Sequence, residues 1–129
     1  MRHHTASIAI DAPPAAAFSF LADATKLPVW AIGFAKAVAP AGDGAWLVTL
    51  SSGDTAPLRI EADAATGVVD YVSDAPAHSR VLPHGPGTLY TFSMHQPPGM
   101  PDEVFDAQVA ELGRELTVLK AHLESACPL

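Results

Sequence analysis

Near the C-terminal end, Phe105, Val109, Leu112, Leu116, Leu119 and Leu123 follow one another in alternating steps of four and three. On an α-helix that spacing lays every one of them on a single apolar stripe, about five turns long. Pro101 stands near the first helical position, where its missing N–H costs nothing, and Asp102 and Glu103 suit the positive end of the helix dipole. Glu111 falls on the polar flank of the stripe. A helix striped on one side only needs an apolar surface of matching length to lie against.

The upstream sequence supplies such a surface. Alternating runs bounded by turn residues predict strands over 4–10, 34–39, 45–51, 57–62, 68–73, 78–83 and 88–96. Pro40-Ala41-Gly42-Asp43-Gly44, Ser51-Ser52-Gly53-Asp54, Ala64-Ala65-Thr66-Gly67 and His84-Gly85-Pro86-Gly87 separate them. Between the first two strands, short helices are expected over 15–22 and 25–31, with Asp11 as the N-cap of the first. The fold class expected is therefore α+β: a seven-stranded curved antiparallel sheet wrapped around a long C-terminal helix, with two short helices after the first strand. No internal repeat or linker interrupts it, so residues 1–129 read as one domain.

Composition narrows the partners. Hydrophobic residues make up 49% of the chain and charged ones 16%, which suits a packed core rather than disorder. A net charge of −7 disfavours nucleic acid, and the scattered Lys and Arg give no basic patch for an anionic membrane. The start, Met1-Arg2-His3-His4-Thr5, carries no apolar signal-peptide region, and no stretch reaches the ~20 apolar residues of a membrane span. The one cysteine, Cys127, can form no internal disulfide. A cytoplasmic protein, monomeric or homodimeric and without metal or cofactor, is the expectation.

The order of these elements resembles the helix-grip superfamily, the START-related and birch-pollen-allergen-like proteins grouped as SRPBCC or polyketide cyclase/dehydrase domains. The likeness rests on Ile10-Asp11-Ala12-Pro13-Pro14 before Phe18-Ser19-Phe20-Leu21-Ala22-Asp23, then Leu27-Pro28-Val29-Trp30. Thr91-Phe92 and Pro97-Pro98-Gly99-Met100 before the last helix complete it. The resemblance implies a cavity between sheet and helix, used across the superfamily for lipids, polyketides, hormones and other apolar molecules. It implies no particular reaction, since such folds host many functions. The tight loops of this short chain predict a small cavity.

Loop lengths set the register, so the inward face can be written down. If Ala64–Gly67 is a hairpin loop, Ile60 lies opposite Tyr71 and Ala62 opposite Val69; if His84–Gly87 is another, Tyr90 lies opposite Val81 and Phe92 opposite Ser79. The expected lining is then Trp46, Val48, Leu50, Leu58, Ile60, Val69, Tyr71, Tyr90, Phe92 and Met94 from the sheet, faced by Phe105, Val109, Leu112 and Leu116 from the helix. Tyr71 and Tyr90 stand out, because a buried phenol needs a hydrogen-bond partner that a ligand could supply. Arg80 stays ambiguous: the 84–87 loop sets it beside Thr91 on the outer face, whereas a four-residue loop at 74–77 sets it opposite Tyr71 inside. His3, His4, His78, His84 and His95 converge on neighbouring strands without metal-ligand spacing, and His95 should point outward. The only carboxylates paired by the register, Glu61 and Asp70, fall outside the cavity. Three functions remain: binding of a small apolar or aromatic ligand, cyclase- or dehydratase-type chemistry through Tyr71, Tyr90 or Arg80, and an interaction module.

Overall fold

A computed structural model describes all of residues 1–129. Strands β1 (His3–Ile10), β2 (Ala35–Gly42), β3 (Ala45–Leu50), β4 (Thr55–Asp63), β5 (Val68–Val72), β6 (Ala77–His84) and β7 (Gly87–His95) are joined by tight turns after β2. Helix α1 (Pro14–Leu21), a 3₁₀ turn (Ala24–Lys26) and α2 (Leu27–Trp30) link β1 to β2, and α3 (Asp102–Ala126) ends the chain. The seven strands form one antiparallel sheet in the order β1-β7-β6-β5-β4-β3-β2. No helix is long and apolar enough to cross a membrane.

The predicted registers hold: Ile60 pairs with Tyr71, Ala62 with Val69, Val81 with Tyr90 and Ser79 with Phe92. The edge strand β2 runs further than its weak pattern predicts. It continues through Pro40, which an edge tolerates because one side of the strand has no ladder to donate to, and it is bulged at both ends. Asp11 does not cap α1. Pro13 takes the N-cap position without a side-chain bond, and the Asp11 N–H donates to Glu124 Oε2 at 2.8 Å. Asp23 supplies a cap instead, its Oδ1 accepting from the Thr25 N–H at 3.0 Å at the start of the 3₁₀ turn.

Helix α3 lies with Phe105, Leu112, Leu116, Leu119 and Leu123 buried. Except for Phe105, they join a core built on Ile10, Leu21, Leu27, Val48, Leu58, Val69 and Tyr90. Polar contacts fix both helix ends to the first strand's side of the sheet. Arg2 reaches Asp102 and Asp106. Near the other end Lys120 Nζ donates to the Ala9 carbonyl at 3.0 Å.

Leu119 is fully buried where α3 seals the sheet. Leu119→Ala should therefore cost about 2–5 kcal/mol in chemical denaturation, the range for a lost core leucine. Gly113 sits mid-helix on the opposite side, exposed, and a Cβ there would meet nothing. Gly113→Ala should raise stability by roughly 0.5–1 kcal/mol. Equal effects of the two substitutions would contradict the orientation of α3.

Candidate functional site

Between the concave face, α3 and the connection from α2 to β2 lies a cavity of about 230 Å³. Strands β5, β6 and β7 build one wall through Tyr71, Ala77, Phe92 and Met94, because alternation sends every second residue inward. Leu58 on β4 and Leu112 on α3 add to it. The α2 segment builds the other wall with Leu27, Trp30 and Ala31, followed by Gly33 and Phe34. The aromatic rings form a chain, with Trp30 and Tyr71 centroids 6.4 Å apart and Tyr71 and Phe92 6.3 Å apart.

Five of the residues expected to line the cavity do so: Leu58, Tyr71, Phe92, Met94 and Leu112. Others fall elsewhere. Val48, Val69 and Tyr90 are fully buried core residues, and Trp46, Ile60 and Leu50 pack against the core from its margin. The space they would have opened onto is filled by Leu21, Leu27 and Trp30, whose docking no strand pattern encodes. Phe105 and Val109 lie on another face of α3 from Gln108 and Glu111, which do line the cavity, and border a separate surface groove beside Met1–His4. Arg80 lies on the outer face, paired with Val68 and Thr91, and its Nε donates to the Thr66 carbonyl at 2.9 Å. The β5–β6 connection decides this: Tyr71 pairs with Ala77, so the turn lies one or two residues earlier than the inward alternative requires, and no bulge is needed.

The two tyrosines differ. Tyr71 Oη donates to the Leu21 carbonyl at 2.7 Å, tying β5 to the end of α1, and burial raises its pKa well above that of a free phenol. Tyr90 is wholly buried outside the cavity; its hydroxyl has no hydrogen-bond partner, and burial raises its pKa too. Trp30 is likewise buried, and its Nε1–H finds no acceptor. On the outer face His78 Nδ1 lies 3.0 Å from Asp70 Oδ1, and His95 packs edge-on to His78 while reaching the cavity rim.

The residue missed from sequence is Glu115. It lines the cavity with only 8% of its surface exposed, and one carboxylate oxygen accepts from the Gly33 N–H at 3.3 Å. Burial pushes its pKa up to about 7, helped by the neighbouring Glu111 and opposed by the Gly33 and Phe34 N–H groups. The close approach needs glycine: a Cβ on Gly33 would overlap the Glu111 side chain. Glu111 is not simply on the polar flank either, since it borders the cavity with Arg114 bound to it at 3.0 Å through Nε. Glu115 lies three residues from Leu112 and four from Leu119, so the helical period that picks out the stripe also points to it.

No family model matches this sequence, and neither does any curated protein. Solved structures do. The protein XoxI from Bacillus cereus superposes with a TM-score of 0.75 at 16% identity, over 95% of this chain and 96% of that one. Ara h 8.0201 gives a TM-score of 0.65 at 18% identity, over 96% and 98%. The di-domain ARO/CYC BexL of the BE-7585A biosynthetic pathway gives 0.76 at 18% identity, over 98% of this chain and 48% of that one. At such identities the likeness is one of fold, and the fold is the helix-grip.

Glu115 makes stability depend on pH with a definite sign. Its carboxyl titrates at about 7 when folded, against 4.5 for the ordinary group. The folded state therefore holds the proton more tightly, and this contribution is fully present below about pH 4.5 and lost as pH rises through 7. Glu115→Gln keeps an acceptor for Gly33 and cannot ionise. It should raise the melting temperature more at pH 8 than at pH 5; the opposite order would show that the carboxylate is not buried.

Proposed function

We infer that this protein binds a small apolar or aromatic molecule in the cavity between the sheet and α3. The observation that carries this is the cavity itself. It is walled mainly by Leu27, Trp30, Leu58, Tyr71, Phe92 and Leu112, and it lies where this fold class leaves room for ligands. Its size limits the occupant. An apolar void of about 150 Å³ can take a benzene ring, so about 230 Å³ suits one ring with a short substituent rather than a sterol or a long acyl chain. The single thiol and the acidic surface suit a soluble protein of a reducing cytoplasm.

An enzymatic reading has one observation in its favour: a carboxyl with a pKa of about 7 inside an apolar pocket can give and take a proton near neutrality. It would appear as conversion of a bound keto compound that Glu115→Gln abolishes.

Trp30 lines the cavity and Trp46 does not, so Trp46→Phe leaves one indole as reporter. A single-ring alcohol such as 2-phenylethanol should change that fluorescence saturably, with affinity on the micromolar-to-millimolar scale for so small a ligand. Ala77 faces the cavity across from Tyr71 and Met94. Ala77→Leu should abolish binding while stability holds or rises, because it fills a void. Val69→Phe, at a fully buried core position away from the cavity, should instead cost roughly 1–3 kcal/mol by overpacking. Loss of stability in Ala77→Leu together with no response to the alcohol would leave a solid core and no ligand site.

A further inference from the structure

The polar groups of the cavity are unevenly signed. Glu111 and Glu115 line it, and no Lys or Arg does. Arg114 occupies Glu111 from outside the lining. Glu115 makes no salt bridge: it accepts from the Gly33 N–H, the Phe34 N–H also favours its ionised form, and Arg114 acts on it only at longer range. Ionised and without a close counter-charge, a carboxylate so buried is costly, and it either keeps its proton to about pH 7 or takes a cationic partner. Trp30 and Tyr71 line the same cavity with ring centroids 6.4 Å apart, and aromatic rings attract cations through their quadrupoles. Such a lining repels anions and favours a cation attached to something apolar.

We propose that the cavity selects a small primary amine on an apolar or aromatic body, its ammonium against Glu115 and its body among Trp30, Tyr71, Phe92 and Leu112. This rests on the ligand-cavity reading above and narrows it to one chemical class. The ammonium donates to Glu115 Oε1 or Oε2 while Gly33 continues to hold the carboxylate in place. Binding is then linked to protons. Glu115 must ionise to pair, and the groups facing it are Glu111 and Arg114 on α3, the Gly33 and Phe34 N–H groups, and Tyr71 and His95 across the cavity and at its rim.

Three probes of one shape separate the possibilities: 2-phenylethylamine, 2-phenylethanol and phenylacetate, titrated into the Trp46→Phe protein by Trp30 fluorescence and into the unaltered protein by calorimetry. The amine should bind about tenfold or more tighter than the alcohol, as a charge-assisted hydrogen bond in a dry site allows, and phenylacetate should bind weakest. Amine affinity should rise about fivefold to tenfold between pH 6 and 8 as Glu115 ionises, while the alcohol's stays flat. Glu115→Gln should bring the amine down to the alcohol's level and remove its pH dependence, leaving alcohol binding intact. Glu61→Gln, on the exposed outer face, should change none of these. If the alcohol or phenylacetate binds as tightly as the amine, or the amine ignores Glu115→Gln, the amine assignment is overturned and the apolar cavity stands. If none of the three binds, the cavity reading falls with it.

Discussion

The contact on which the rest of this structure depends is that between α3 and the concave sheet. A curved sheet of seven strands exposes a whole apolar face, and one helix of 25 residues covers it together with the α1–α2 segment. Leu112, Leu116, Leu119 and Leu123 provide the contact. Burying a leucine side chain contributes about 1.5–3 kcal/mol relative to exposure, so these four dominate any pairwise polar contact on the surface. Direction comes from elsewhere. Arg2 holds the N-terminal end of α3 through Asp102 and Asp106, and Lys120 and Glu124 hold the other end to Ala9 and Asp11. These exposed pairs contribute little energy each, yet together they fix the rotation of the helix about its axis, and that rotation decides which residues look into the cavity.

That rotation brings Glu115 inside. Turned by one residue's angle, α3 would offer Leu116 or Arg114 to Gly33 instead. The loop after α2 accepts a carboxylate because Gly33 has no side chain and presents its N–H. So the polar end of the cavity is made by a glycine and a helix, and the aromatic end by the sheet together with Trp30. The sheet's own polar groups at the cavity are Tyr71, whose hydroxyl already donates to the Leu21 carbonyl, and His95 at the rim, so the buried acid has to come from α3.

How much of this was legible in the sequence follows from the range of each signal. The stripe of α3 and the β4–β5 and β6–β7 registers depend on local spacing and turn length, so Ile60 opposite Tyr71 and Phe92 opposite Ser79 could be written down directly. The side of Arg80 could not, because the segment Ser73–Pro76 offers several turn lengths and a shift of one residue reverses the face. The division between core and cavity was illegible for another reason. Val69 and Tyr71 alternate on one strand and share one face, yet one is core and the other lining, because the α1–α2 segment packs over part of the face and leaves the rest open. Glu115 carried a usable signal. A charged residue three and four places from stripe leucines must either tilt to solvent or enter the interior, and the apolar stripe alone does not say which.

The mouth of the cavity shows why both properties can coexist in so small a protein. Phe34 lines the cavity and is 39% exposed, while Ile32 beside it and Val29 on α2 are 47% and 40% exposed. Opposite them the β5–β6 turn closes the rim with Ala75 and Pro76. Apolar side chains held at an opening cost little to hydrate singly, but they offer an apolar molecule a continuous surface from solvent to Trp30. The cavity is therefore two-sided: the lip on α2 and the segment 31–34 is apolar, and α3 supplies the acids, Glu115 buried and Glu111 half-buried. An ammonium on an apolar body, the ligand proposed above, would match both sides at once.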